Sequence, residues 1–317
     1  MTGTKKRLGW MGVTVLLGFL GYQTSTAAAE SATPAALAAD YYVAVEGNDA
    51  WSGTLAKPNA GATDGPFAML ERARDEIREL KAAGPLSKPV TVCILGGTHE
   101  LANTFELTEV DSGTPGAPVT YRGAPGQGVR ISGGREIRGW ATVTDATILG
   151  RLDEAARGQV MQADLRAQGI TEYGEMVSAK KWANSEPGLE VFFNDEPMTL
   201  ARWPNEGATK IPGFPEGATP KELWGKARPN SSVESCFLYE GNRPERWLGE
   251  ADVMAHGYWF WDWADQHYRI ASIDAAKKEI RLEGKHTYGL RKGQGYHVYN
   301  LFCELDQPGE WYLDRKK

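Results

Sequence analysis

The chain is poor in the residues that build metal and disulfide scaffolds. It has three cysteines and five histidines in 317 residues. The cysteines, Cys93, Cys236 and Cys303, form no CxxC or Cys-plus-His spacing, so zinc-cluster folds are excluded and no metal or cofactor is expected. Positive charge is also in deficit. Thirty-five Lys and Arg face 41 Asp and Glu, a formal net charge of -6. Nucleic acid is therefore excluded as the main partner, because phosphate binding needs a basic surface. No GxSxG, Walker or dinucleotide-binding motif occurs. His99-Glu100-Leu101-Ala102-Asn103 opens like a zincin helix, but Asn103 stands where the second ligand histidine belongs.

Turn formers are plentiful, with 37 glycines and 17 prolines. Hydrophobic residues make up 41% and charged residues 24%, the composition of a folded chain. Together these values predict a turn-rich, mostly β protein.

The N-terminus reads as an export signal. Lys5, Lys6 and Arg7 precede an uncharged apolar run from Leu8 to Tyr22, and Ala27-Ala28-Ala29 fits the small-x-small cleavage rule. The apolar run is too short to span a bilayer comfortably. Residues 1–29 are thus expected to be a signal peptide cut after Ala29, giving a secreted or periplasmic protein with no membrane partner after cleavage; the alternatives are an uncleaved anchor and a second cut near Ala36-Leu37-Ala38. No cysteine follows the apolar run, so a lipoprotein is not expected. Cleavage removes three of the 35 basic residues and leaves a net charge of -9.

Residues 30–40 are rich in Ala, Ser and Thr and read as a flexible lead-in. Tyr41 to Val45 reads as a strand. The spacing of Phe67, Leu70, Ala73, Ile77 and Leu80 predicts a helix from Phe67 to Lys81, stopped by Gly84-Pro85. Short strands follow, divided by glycine-rich turns: Val90–Leu95, Thr104–Leu107, Val119–Tyr121 and Val129–Ile131. Their even spacing suits a winding β architecture. Beyond Ile137 the strands become longer and more aromatic: Leu189–Phe193, Ala255–Trp263, Tyr268–Ile273, Glu279–Leu282 and Tyr296–Leu301. Asn194-Asp195 and Asp274–Lys278 read as hairpin turns.

Six stretches, taken together, resemble one family: YYVAVEGNDAWSGT, FAMLERARDEIREL, VTVCILGGTHEL, DSGTPGAPVTYRGAPG with ISGG, FFNDEPMTLARWPNEG and ELDQPGEWYLDR. The chain resembles the N-terminal portion of secreted right-handed parallel β-helix proteins similar to glycoside hydrolase family 141. The resemblance implies a mostly β fold in which residues 41–136 form an N-terminal cap, with its capping helix, and the first coils of the β-helix. It further implies that residues 137–302 form an inserted antiparallel β-sandwich-like domain and that 303–317 return toward the β-helix. The family's catalytic acids lie on later coils, so the resemblance carries no catalytic residue onto this chain.

Within the chain, the densest chemistry is in YWFWDWADQHY. Strand alternation would put Trp259, Trp261 and Trp263 on one face, with Asp262 and Asp265 at the strand end. Such a row stacks sugar rings, and a carboxyl pair is what glycoside hydrolysis requires. The alternative is that the aromatics are simply core. Arg202, Trp203 and Asn205 could line a cleft, or Arg202 could pair with a carboxylate while Trp203 packs. Glu304, Asp306, Glu310 and Asp314 form an acidic stretch that reads as a solvated turn or a ligand site. Asn48-Asp49 and Asp111-Ser112 read as turns with oxygen ligands for calcium as the alternative. Cys93 reads as a buried thiol, and a Cys236–Cys303 bridge stays open.

The expected function is part of an exported, polysaccharide-degrading glycoside hydrolase lineage, monomeric, with a polysaccharide or oligosaccharide as partner and its catalytic coils beyond this chain. The alternatives are a non-catalytic carbohydrate-binding or surface-attachment module, a polysaccharide lyase lineage, and a non-functional gene fragment.

Overall fold

The computed structural model describes residues 38–176 and 189–315. The signal segment and most of the lead-in lie outside the described residues. The fold is mostly β, in two compact units that meet in sequence at Gly134 and Arg135.

The first unit is built on parallel pairing. Strand β1 (Tyr41–Val43) lies beside β2 (Val90–Ile94), which lies beside β4 (Val119–Gly123), all parallel. A second parallel ladder joins β3 (Gly97–Glu100) to β5 (Val129–Ser132). The segment β2–β3 is thus repeated by β4–β5, stacked strand upon strand. All three residues of β1 are buried, so its sheet is covered on both faces. Val43, Val92 and Ile94 pack with Phe67 and the helix α1 (Leu70–Ala83), while Tyr42 and Cys93 pack with Ala124.

Helix α1 starts three residues later than its apolar spacing predicts. Leu70, Ala73 and Ile77 form its buried face, but Leu80 is exposed. Phe67 is wholly buried in extended backbone, bridged to Val43 and stacked on Tyr41 at 5.8 Å. The helix has no side-chain cap of its own at Met69. Instead the Asp49 carboxylate accepts the amides of Ala68 and Met69 at 2.8 and 3.0 Å, satisfying donors that a helix start leaves open. This loop sits tight on Phe67: a Cβ on Gly47 would fall 2.1 Å from the Phe67 carbonyl oxygen. The predicted strand at Thr104–Leu107 does not form. Phe105 packs edge-on against Tyr121 at 5.6 Å from irregular backbone. The strand that does form is β3, where a turn was expected, because Gly97 enters it at a φ of 127°.

The second unit carries a seven-stranded antiparallel sheet. Its order is Arg202–Trp203, Gly295–Tyr299, Met254–Gly257, Gln266–Asp274, Glu279–Leu282, Cys236–Leu238, and Thr209–Lys210 also pairs with Gly295–Tyr299. Among the described residues the remaining ladders of this unit are two-stranded. The proline-rich connection after Pro204 makes a short hairpin, Glu222–Leu223 with Lys226–Ala227. Both expected turns hold. Asn194 and Asp195 take φ values of 52° and 66° between Phe192–Phe193 and Glu196–Pro197, and Lys278 takes 58° before Glu279–Leu282. The core gathers Phe237, Trp247, Trp259, Tyr268, Ile280, Leu290, Tyr296 and Val298. The open Cys236–Cys303 bridge is absent: both are free, buried thiols. Cys236 donates to Glu279 and Cys303 to the Arg246 carbonyl.

One ion pair locks α1 to the loop after β3. Arg78 forks onto Asp111 at 2.7 and 2.8 Å, and the Thr108 amide adds a third donor at 2.7 Å. The Asp111 carboxylate is thereby committed to arginine rather than calcium. These donors hold its pKa well below the usual carboxylate range. A lowered folded pKa contributes stability that is fully present above the unfolded value of about 4, begins to fall below it, and is lost as pH falls through the folded value. Asp111→Asn is therefore expected to cost about 1–3 kcal/mol at pH 7. Denaturant unfolding at pH 7 and pH 3 should show the deficit shrinking in acid.

Candidate functional site

The two faces of the central sheet strands carry different chemistry. On one face Ala255, Tyr268, Tyr296 and Val298 enter the core. On the other, His256 lies opposite His267 on one neighbouring strand and opposite His297 on the other. Their rings are 4.3 and 5.0 Å from the His256 ring. His256 Nε2 meets Asp265 at 2.9 Å, and His267 Nδ1 meets the Tyr299 hydroxyl at 2.8 Å. Burial, with neighbouring His256 adding to it, holds His267 down at about 4. Burial and then the Arg202 charge hold His297 at about 3. Bonding to His256 lowers the Asp265 carboxyl, against the cost of its burial.

The predicted strand Ala255–Trp263 ends at Gly257. A Cβ there would lie 2.8 Å from the Gly295 carbonyl oxygen, so the two backbones approach as only glycine permits. Residues 258–265 leave the sheet as a loop, and the expected tryptophan row dissolves. Trp259 is wholly buried, stacked on Tyr296 at 6.1 Å, and its indole nitrogen donates to the Gln266 carbonyl at 2.8 Å. Trp261 is half-buried, with Phe260 edge-on at 4.9 Å. Trp263 is 58% exposed, edge-on to Tyr288 at 5.7 Å.

Asp262 and Asp265 belong to different clusters. Asp262 accepts from Arg291 at 2.9 Å and from Gln294 at 3.0 Å, whereas Asp265 belongs to the histidines. Arg202 and Trp203 do not form a ligand wall. Arg202 donates to the carbonyls of Pro204 and Gly207 at 2.9 and 2.6 Å, and Trp203 packs on Trp247 at 5.6 Å. Asn205 donates to Asp306 at 2.8 Å.

The acidic stretch is not a solvated turn. Glu304 is wholly buried, held by Arg243 at 2.9 and 3.0 Å and by the Trp247 indole at 2.6 Å. Glu310 accepts the amides of Arg202, Asp306 and Gln307, which ties Thr199–Leu200 to the parallel Glu310–Trp311 strand; burial nonetheless raises its pKa.

The sequence singles out His267, beside the tryptophans and Asp265, but does not show its grouping with His256 and His297. A signal was present: MAHG, QHYRI and GYHVY each put a histidine next to an inward residue. Only the strand register brings the three together.

No family model matches the chain. Over 125 residues it is 34% identical to pectate lyase PEL9 of Emericella nidulans, which covers 39% of this chain and 25% of that protein. A solved structure titled "Glycoside hydrolase" shares the fold with a TM-score of 0.59 at 20% identity, over 88% of this chain and 42% of that one. The chain therefore spans less than half the length of each.

Removing one partner of a buried ion pair strands the other without compensation. Arg243→Ala is expected to cost about 3–5 kcal/mol by leaving the Glu304 charge beside Trp247. Arg243→Ala combined with Glu304→Gln should recover part of that loss in the same denaturation experiment.

Proposed function

We propose that the chain is part of an exported carbohydrate-active protein of the glycoside hydrolase type, in which the first unit begins a parallel β-helix and the second carries a glycan-contacting loop. The observation that carries this reading is the fold likeness to a glycoside hydrolase over 88% of the chain. The repeat of β2–β3 by β4–β5 in two parallel ladders supports a β-helix, since each segment stacks on the last as successive coils do.

The loop at 258–265 is the part best suited to a sugar. Trp263 offers an exposed ring, Tyr288 stands edge-on to it, and Asp262 with Arg291 supplies hydrogen-bonding groups beside it. Apolar ring faces of pyranoses stack on such side chains, and charged groups at the rim bind hydroxyls. A polysaccharide lyase is the second reading, favoured by the 34% identity to a pectate lyase. The signal segment supports delivery to a secreted or periplasmic location, where polymeric glycans are met.

Titration of the full chain with oligosaccharides from neutral plant polysaccharides and from pectate should change tryptophan fluorescence. Trp263→Ala is expected to weaken binding about tenfold or more, the loss of one stacking contact. A flat response across both glycan classes, or an unchanged Trp263→Ala variant, overturns the glycan-contact assignment. In digests by any longer protein containing this chain, new reducing ends without unsaturated, ultraviolet-absorbing products identify hydrolysis. Unsaturated products identify the lyase.

A further inference from the structure

Three of the chain's five histidines occupy directly paired positions on adjacent strands. The same strand face also buries Met254 and Tyr299, packed with Met176, so the histidines share their side of the sheet with an apolar cluster. Charged imidazoles so close would repel each other. Asp265, brought in by the 258–265 loop, adds a carboxylate that bonds to the row. A ligand atom from each of His256, Asp265 and His267 lies within 4.8 Å of the others. His297 stands on the far side of His256, its ring 5.0 Å away.

We propose that His256, His267 and Asp265, with His297 alongside, bind one divalent transition-metal ion of the zinc class. Two or three imidazole nitrogens with one carboxylate oxygen form a donor set for zinc, copper or nickel, not the all-oxygen shell that calcium or magnesium takes. Metal–ligand bonds of about 2.0–2.2 Å put ligand atoms about 3–3.5 Å apart. Side-chain rotations on the order of 1 Å close the wider pair to that spacing. With Nδ1–H donating to the Tyr299 hydroxyl, the His267 ring is oriented and its Nε2 lone pair is left to bind metal.

The test uses the full chain without a polyhistidine tag, stripped by chelator and titrated with Zn²⁺ against a chromophoric chelator. One zinc per chain is expected. His267→Ala and Asp265→Asn should each weaken binding about 10–100-fold. Asp262→Asn, a carboxylate of the same loop outside the cluster, should leave it unchanged. Zinc uptake no tighter in the wild-type chain than in His267→Ala overturns the proposal. Should the variants fail to fold, Cu²⁺ bound to the wild-type chain gives an independent reading by electron paramagnetic resonance. Splitting from two or more imidazole nitrogens supports the site, and a spectrum with one or none overturns it.

Discussion

The period-two alternation of a β-strand is the constraint on which the second unit depends. Residues 254–257, 266–274 and 295–299 each send one set of side chains into the core and the other set to the opposite face. Once Ala255, Tyr268 and Val298 are inside, His256, His267 and His297 must share the other side. A slip of one residue would bury three imidazoles and expose the aromatic core. The hydrophobic requirement of the core thus fixes the histidine cluster on the opposite face.

The loop at 258–265 follows from a second constraint, the close approach at Gly257. The Gly257 backbone lies where any Cβ would meet the Gly295 carbonyl oxygen, and the strand ends there. The aromatic run therefore divides. Trp259 turns back to the core, Trp263 goes to the surface, and Asp265 returns to His256. One short loop thereby joins a packing residue, an exposed ring and a histidine partner, which couples the proposed glycan contact to the histidine face.

How much of this was legible in sequence varied with the range of the interaction. Glu279–Leu282 and the turn at Asn194-Asp195 were readable because local alternation and turn chemistry decide them. The α1 face was readable, but its start was not, since Asp49 sets it from a distant loop. The run YWFWDW carried a perfect strand pattern and still left the sheet, because the deciding contact is with Gly295. Glu304 read as a surface acid, and only its pairing with Arg243 and Trp247 explains its burial. Of the tryptophans singled out for a sugar, Trp263 lies at the surface while Trp259 is buried and Trp203 packs on Trp247, and Arg202 bonds to carbonyls of its own loop.

The three thiols set a clock on the folding of the chain. Burial raises the thiol pKa at Cys93 and Cys236 and pushes Cys303 up to about 12, so the reactive thiolate is scarce at all three once the chain is folded. An oxidant therefore has a brief interval in which to form a wrong bridge, and that interval closes when the sheets do. Cys93 sits within the parallel sheet of the first unit, Cys236 on the edge strand of the large sheet, and Cys303 where the chain turns toward its last strand. Each is a native reporter on a different part of the molecule, and the order in which they become reactive would be the order in which those parts open.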